Sequence, residues 1–559
     1  MKKVYLLIAS VIAAFALQAQ TNVDDAWFSG NKTMTSGNTY ILTERCFVES
    51  GDTLIIEPGV VVKGNPGTGT NATALIVARG GYIHAAGTAT QPIIFTAASD
   101  DISNPVDIAP GTKGLWGGLI ILGKASLNST PGETEIEGLP SGDPRSLYGG
   151  SEDTDNSGVL QYISIRYGGT SIAPNNDING LTLGGVGSGT TIDHIEVIYN
   201  FDDGIEFFGG TVNCKYMLMA FCGDDSYDYD EGFRGKGQFW VTIQADSVGD
   251  RLGEHDGGTD PETAQPYATP TIFNATYIGK GTGSNRVMTL RDNAGGHYHN
   301  SIFIDQGRGI DIEILGNGAD SYDRWQAGEL SFECNLFWNI ENNVAANMFK
   351  ITADKYRCNS AANPAQCLAD STAEVDAAKV AWAAYFATAN NLNQDPEFNS
   401  LNSNSRIFAQ NALDPRPSIT GPAYTSTICD NNDPWFTPVN YKGAFSAHGD
   451  FWLRGWTLMD QLGYFPTTTA NTPDLSSNFT LAPNPANDIV AVSATGVQGA
   501  KATLNVLDLN GRTVLSQEAV ISGDKLNAEL NIKSLTNGVY FVQAIVDGAA
   551  VATKKVVKQ

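Results

Sequence analysis

One stretch of this sequence repeats itself, and that repeat limits what the chain can fold into. "IDHIEVIYNFDDGIEFFGG" begins at Ile192 and "CKYMLMAFCGDDSYDYDEG" begins at Cys214, 22 residues later. In register, His194 meets Tyr216, Ile195 meets Met217, Val197 meets Met219 and Tyr199 meets Phe221, while Asp202-Asp203 falls on Asp224-Asp225. Looser copies follow the same plan: "LQYISIRYGG" from Leu160, "IFNATYIG" from Ile272, "YHNSIFID" from Tyr298 and "ECNLFWN" from Glu333. Each is a short run with alternating apolar residues, closed by a Gly/Asn/Asp turn. A unit of this length holds about three short strands and cannot bury its apolar face alone. Stacked one coil per repeat, like residues pile into ladders. That predicts an all-β protein built on a parallel β-helix.

The N-terminal part fits the same plan. "GDTLIIEPGVVVKG" (Gly51–Gly64), "ALIVARGGYIHAAGTATQPIIFTA" (Ala74–Ala97) and "LWGGLIILGKASL" (Leu115–Leu127) are β-rich runs punctuated by Gly and Pro, with no helical period. Before them, Lys2 and Lys3, the apolar run Val4–Ala16 and Leu17-Gln18-Ala19 read as an export signal over residues 1–19. No later segment reaches eighteen apolar residues, so no membrane-spanning helix is expected. The net charge of −26 falls almost wholly on residues 20–473, which hold about −28. Nucleic acid and anionic lipid need basic surfaces and are excluded as partners on that ground. Divalent cations or uncharged sugars suit such a surface.

After these residues a resemblance emerges. "GDTLIIEPGVVVKG", "ARGGYIHAAGTATQPIIFT" and "LWGGLIILGKA" look like the opening of right-handed β-helix surface proteins exported by the type IX secretion system. "VNYKGAFSAHGDFWLRGWTLMDQLGY" (Val439–Tyr464) resembles the closing segment of that group. The β-helix domain is therefore placed at 20–465. "PTTTANTPDLSSN" at 466–478 reads as a linker. The module 479–559 reads as a small β-sandwich, with Asn510-Gly511 as a hairpin turn. "LAPNPANDIV", "VLDLNGRTVL", "LTNGVYFVQ" and "KKVVK" resemble, in order and spacing, a type A C-terminal sorting domain of the type IX system. The matching positions include Pro483, Asn484, Pro485, Asn510, Gly511, Gly538, Tyr540, Lys554 and Lys555. Ala482 stands where an aromatic is common before Pro-Asn-Pro. The resemblance implies handling by the secretion machinery and its sortase, then release or attachment to surface lipopolysaccharide.

Within the β-helix, "STAEVDAAKVAWAAYFATA" (371–389) predicts a helix, with Ser371 and Glu374 as its capping box and Trp382 and Phe386 on one face. Such a helix would cover an open end of the solenoid. The seven cysteines of an exported chain predict some disulfides and one leftover thiol, with Cys358 and Cys367 as the local pair.

The acidic stretch is the candidate site. Stacking brings Asp224-Asp225 over Asp202-Asp203 at a coil spacing of roughly 4.8 Å. With Asp228 and Asp230 these carboxylates could hold Ca²⁺, or could simply be solvated turns. Tyr227, Tyr229, Phe233 and Trp240, with Arg234, could face a glycan, or the aromatics could form a ladder inside the coil. His297 and His299 are two residues apart and point the same way from a strand, with His255 and Asp256 as further ligand types. These features predict a glycan-binding or adhesion protein of the cell surface or secreted fraction. The rival is a polysaccharide lyase or glycoside hydrolase on the same fold, and a third reading is a plain structural surface protein. A lyase would use Arg234 or Lys236 as base, although neighbouring acids favour the charged form of Lys236. A hydrolase would use two or three carboxylates.

Overall fold

The computed structural model describes residues 20–559 apart from 175, 246–247, 259–260, 282–284, 316–319, 345–348, 354–362, 402–410, 412, 448–450, 467–477, 498–500, 509–511, 524 and 547–548. The export signal, most of the linker and the Asn510-Gly511 turn fall outside the described residues.

The chain coils into a parallel β-helix with three faces. Early coils give one strand to each face: Lys32–Met34, then Thr39–Leu42, then Arg45–Val48. The third face is a separate ten-stranded parallel sheet running from Arg45–Val48 to Phe349–Ala353. In the middle coils the other two faces fuse into long bent strands, Gly158–Arg166, Thr191–Ile198, Asn213–Ala220 and Lys236–Ile243. Their register is the one the repeat predicts: Ile195 pairs with Met217 and Val197 with Met219.

Each bend is made by one residue in the left-handed region. Tyr162, His194, Tyr216, Phe239, Asn274, Asn300 and Cys334 form a column with φ between 49° and 60°. Non-glycine residues adopt that conformation at a cost of about 1–2 kcal/mol each. Stacking offsets part of it, because the rings of Tyr162 and His194 lie 4.2 Å apart, His194 and Tyr216 4.4 Å, and Tyr216 and Phe239 4.9 Å.

Three devices finish the solenoid. The helix Pro364–Thr388 seats Val375, Ala378, Trp382 and Phe386 against the last coils, with Trp382 4.7 Å from Trp325 and Phe386 5.5 Å from Phe337. It begins earlier than the sequence suggested: Asn363 caps it through Gln366 N–H and Pro364 takes the first turn, so Ser371 and Glu374 sit inside the helix rather than at its start. Residues 427–447 and 451–465 then run back along the outside of the coils as a strap. Cys334–Cys429 ties the strap down, and Trp452 and Trp456 set their edges against the His194 ring. Third, an antiparallel pair, Glu133–Glu135 with Leu147–Gly149, lies outside the third face. There Tyr148, Ile136 and Leu139 cover the outward Phe47, Ile76, Ile120, Leu122 and Phe208 in a second apolar cluster. Beyond Phe208 the outer wall is polar.

The cysteine expectation needs correction. Cys46, Cys214 and Cys222 are all buried free thiols, so three are left over rather than one. Cys334 bonds Cys429 across 95 residues, a pairing set by the strap and invisible to local spacing. Cys367 is disulfide-bonded, while Cys358 lies outside the described residues.

The C-terminal module is a seven-stranded antiparallel sheet with its own core of Val490, Leu504, Leu526, Val542 and Val556 among others. The sorting-motif residues hold its ends together. Asn484 donates from Nδ2 to the Lys555 carbonyl at 2.8 Å and accepts from Val557 N–H at 3.0 Å, pinning the last strand, and Lys554 donates to the Phe479 carbonyl at 2.8 Å. Tyr540 donates to the Thr536 carbonyl, and Gly538 opens the strand Gly538–Val546. Replacing Asn484 with Ala is expected to cost about 1–2 kcal/mol in this module. Hydrogen exchange at the Val557 amide of the full chain should accelerate correspondingly, and unchanged protection would show that the pin is dispensable.

Candidate functional site: the acidic wall of the third face

Strand alternation sends Tyr227 and Tyr229 inward and Asp228 and Asp230 outward. The inward residues form a ladder. Tyr227 stacks on Trp240 at 4.6 Å and on Tyr277 at 5.3 Å, Phe207 on Phe233 at 4.3 Å, and Tyr229 on His255 at 3.9 Å. Tyr227, Tyr229, Phe233 and Trp240 are at most 2 % exposed, so none of them can touch a glycan. Their alternation was legible, but not which side of it faced the core. Arg234 also departs from the sugar reading: it bonds the Gly232 carbonyl, Ser126 and Asp153, below the acidic wall. Lys236 reaches Asp433 on the strap. Neither cation faces the acids as a base would.

The outward residues build the wall. Glu206, Asp228 and Glu254 follow one another in register on successive coils. At the turn leading into the same face, Asp225 N–H donates to Asp203 Oδ1 at 2.8 Å, and the Asp225 carboxylate in turn takes Arg251 N–H and Arg251 Nη1 at 3.0 Å. Carboxylate oxygens of Asp202, Asp203 and Asp224 lie within 4.8 Å of one another, as do those of Asp203, Glu206 and Asp228, and of Asp224, Asp225 and Asp250. Five of the six acids expected to meet therefore do. Asp230 does not join these groups; its carboxylate accepts from the Glu231 amide.

Burial dominates the electrostatics. It lifts Asp202 to about 7, with Asp177 and Asp224 adding to the effect. Asp203, Glu206, Asp225 and Asp228 are all pushed well above the usual carboxylate range, by burial first and then by the neighbouring acids. Asp256 rises to about 7 because burial outweighs its bonds to Arg291, and Glu231, under the Tyr148 hydroxyl, also reaches about 7. Arg251 and Arg291 both bridge to Glu254, at 2.9 and 2.8 Å, and are the cations that divide the wall. One buried oxygen, Asp228 Oδ1, has no hydrogen-bond partner in this arrangement. The oxygen-only donor set of these groups fits a hard cation such as Ca²⁺, with Asp203, Glu206 and Asp228 as its holders.

Sequence reasoning missed Phe201. Its ring is 45 % exposed, and among the described residues it is the most exposed aromatic side chain. It sits beside Asp202, with the Lys113 amine 6.0 Å from the ring centre, and burial lowers that amine from its ordinary value. Glycine frames it: a Cβ on Gly223 would stand 1.9 Å from the Phe201 carbonyl oxygen, and one on Gly114 3.5 Å from the ring. Glycines on three neighbouring coils were the signal available in the sequence.

The histidines part company. His255 points into the core and accepts or donates at Tyr298 OH, 2.8 Å away, so it cannot join His297 and His299, which point outward. Asp256 is taken by Arg291.

Comparisons with known proteins agree with this architecture. Residues 480–559 match the secretion system C-terminal sorting domain, which indicates export to the cell surface or secretion through the type IX machinery. No helix among the described residues is long and apolar enough to cross a membrane. No curated protein matches the sequence. Among solved structures, the enzymatically active domain of bacteriophage CBA120 tailspike protein 2 is similar at 9 % identity, over 94 % of this chain and 72 % of that one; its TM-score of 0.24 carries no argument about fold or function. Residues 27–387 match the pectate-lyase-like β-helix domain, and with well over half of its length inside that match the chain belongs to this family.

Proposed function

We propose that this exported β-helix is a glycan-binding adhesion protein, displayed on the cell surface or released, whose contact point is the turn around Phe201. The observation that supports this reading is an exposed aromatic ring beside an acidic turn: Phe201 at 45 % exposure, with Asp202 next to it in the chain and Asp224 on the following coil. An aromatic face packs the C–H side of a sugar ring, and flanking carboxylates accept its hydroxyls. Ca²⁺ among Asp203, Glu206 and Asp228 would neutralise the wall beside it. Attachment to surface lipopolysaccharide after a sortase removes the sorting domain belongs to the same proposal.

Glycan-array binding by the full chain, repeated with Phe201→Ala and Asp224→Asn, tests it. Each substitution should weaken binding at least about tenfold with little change in melting temperature. Equal binding by Phe201→Ala would discard the contact point, and no binding by the native chain with or without Ca²⁺ would leave the structural reading.

A second reading, cleavage of a bound polysaccharide, is favoured by one observation. Glu206 and Asp228 are neighbours whose carboxyls both titrate well above the usual range, as a proton donor requires. Product release by the native chain, lost in Asp228→Asn, would support it over plain binding.

A further inference from the structure

Far from the acidic wall, on the outside of the first face, the last coils meet the strap at the Cys334–Cys429 disulfide. His299 and Glu333 are register partners on adjacent strands there, with His299 Nδ1 3.7 Å from Glu333 Oε2. Nδ1 of His299 is buried and has no hydrogen-bond partner, an unsatisfied state that favours a bound ligand. One ligand atom each from His299, Glu333 and Cys429 lies within 4.8 Å of the other two. The second sulfur is delivered by an unusual backbone. Glu333 and Cys334 are consecutive and in a regular strand would point to opposite sides, but Cys334 has φ +58° and occupies the bend column. Its sulfur is therefore held at Cys429 and hence beside the same group.

Contacts other than the disulfide also hold the strap to this coil. Asn300 donates to the Cys429 carbonyl and accepts from the Cys429 N–H, both at 2.9 Å. The Lys442 amine donates to the carbonyls of Cys334 and Thr427. Phe273 packs at a tilt against His299, ring centres 4.7 Å apart, and is covered in turn by Phe436. Glu333, 42 % exposed, opens the group to solvent.

We propose that Cys334, Cys429, His299 and Glu333 form a tetrahedral site for Zn²⁺ or a cation of its class, complete only when the disulfide is reduced. One imidazole, one carboxylate and two thiolates are a ligand set of that class. A dithiol reductant supplies two electrons and, with two protons, converts the disulfide to two thiols while closing to a disulfide itself. The cation then displaces both thiol protons to solvent and bonds the two sulfurs that were formerly bonded to each other. Disulfide and metal are thus alternative ways of fastening the same strap to the same coil, and the redox poise at the cell surface selects between them.

The test uses the full chain, anaerobically, with Co²⁺ as the probe. The reduced chain should bind one equivalent with thiolate-to-cobalt charge transfer and the intense visible bands of tetrahedral cobalt, and Zn²⁺ should displace it. The oxidised chain should show neither. His299→Ala in the reduced chain should weaken Co²⁺ at least about tenfold. Glu333→Gln, at a half-exposed position where folding is not at stake, should weaken it in the same direction. No charge-transfer band in the reduced chain overturns the site. So do bands that both substitutions leave unchanged, since the signal would then belong to other thiols.

Discussion

In the presence of a chelator, the full chain should melt at a higher temperature at pH 6 than at pH 8. An acid whose folded pKa is raised keeps its proton while the unfolded chain has already lost it, so stability falls as pH climbs from the unfolded value to the folded one. For Asp202, Glu231, Asp256 and Glu313, all near 7 when folded, that window spans about 4 to 7. Asp203, Glu206, Asp225 and Asp228 extend it upward. Moving Glu231 alone from 4.5 to about 7 is worth about 3 kcal/mol over the whole window. Two effects run the other way. Buried His255 and His299, lowered to about 3 and about 4, cost stability as pH drops below 6.5, which is why the comparison stops at pH 6. Lys442, near 7 when folded, regains stability above that pH. The carboxyls outnumber both, and a net loss of about 3 kcal/mol from pH 6 to pH 8 is expected. Millimolar Ca²⁺ should restore much of it at pH 8 and little at pH 6, and Glu206→Gln with Asp228→Asn should flatten the profile and abolish the Ca²⁺ effect. A melting temperature that rises from pH 6 to pH 8 would show that these acids are not held protonated.

That wall shows how far the sequence could be read. A shared side of the coil for Val197 and Met219, and for Asp202 and Asp224, follows from a 22-residue period alone, because stacking in parallel register translates sequence distance into spatial contact. The period does not say which parity of "YDYD" faces inward. Tyr227 and Tyr229 fill the core because the coil interior there is wide enough for rings, and that width is set by Phe207, Trp240 and His255 on other strands. Phe201 stands out only after three coils are laid beside one another and glycine is found around it. Cys429 meets Cys334, and with it His299, because the strap doubles back over coils already built. A repeat describes the coils. It is silent about a segment that does not repeat.

Replacing Glu196 should be the most damaging single change in the solenoid, and it follows from that strap. Glu196 and Ser164 are register partners on the second face, both without measurable exposure. Glu196 Oε2 accepts from Ser164 Oγ at 2.5 Å and from Leu458 N–H at 2.7 Å, while Oε1 accepts from Met459 N–H at 3.1 Å. Those two amides open the short helix Leu458–Gln461, where no carbonyl of the helix can reach them. Arg166, 1 % exposed, donates from Nε to the same Ser164 Oγ at 2.8 Å and from Nη1 to Gln461 at 3.2 Å. Charge, coil and strap are thereby joined in one buried network, with the Tyr199–Tyr464 hydroxyl pair beside it. Glu196→Ala strands a buried guanidinium and leaves two amides and a hydroxyl without an acceptor, at a cost of about 3–5 kcal/mol. Glu196→Gln keeps one acceptor oxygen for the strap amides and should cost about 1–2 kcal/mol. Because the network sits between strap and coil, Glu196→Ala should also release 439–464 to limited proteolysis before the coils unfold. Native-like protection of that segment, or a melting temperature unchanged from the parent, would mean that stacking of Trp452 and Trp456 on the His194 column suffices to hold the strap, and that the buried charges contribute nothing to it.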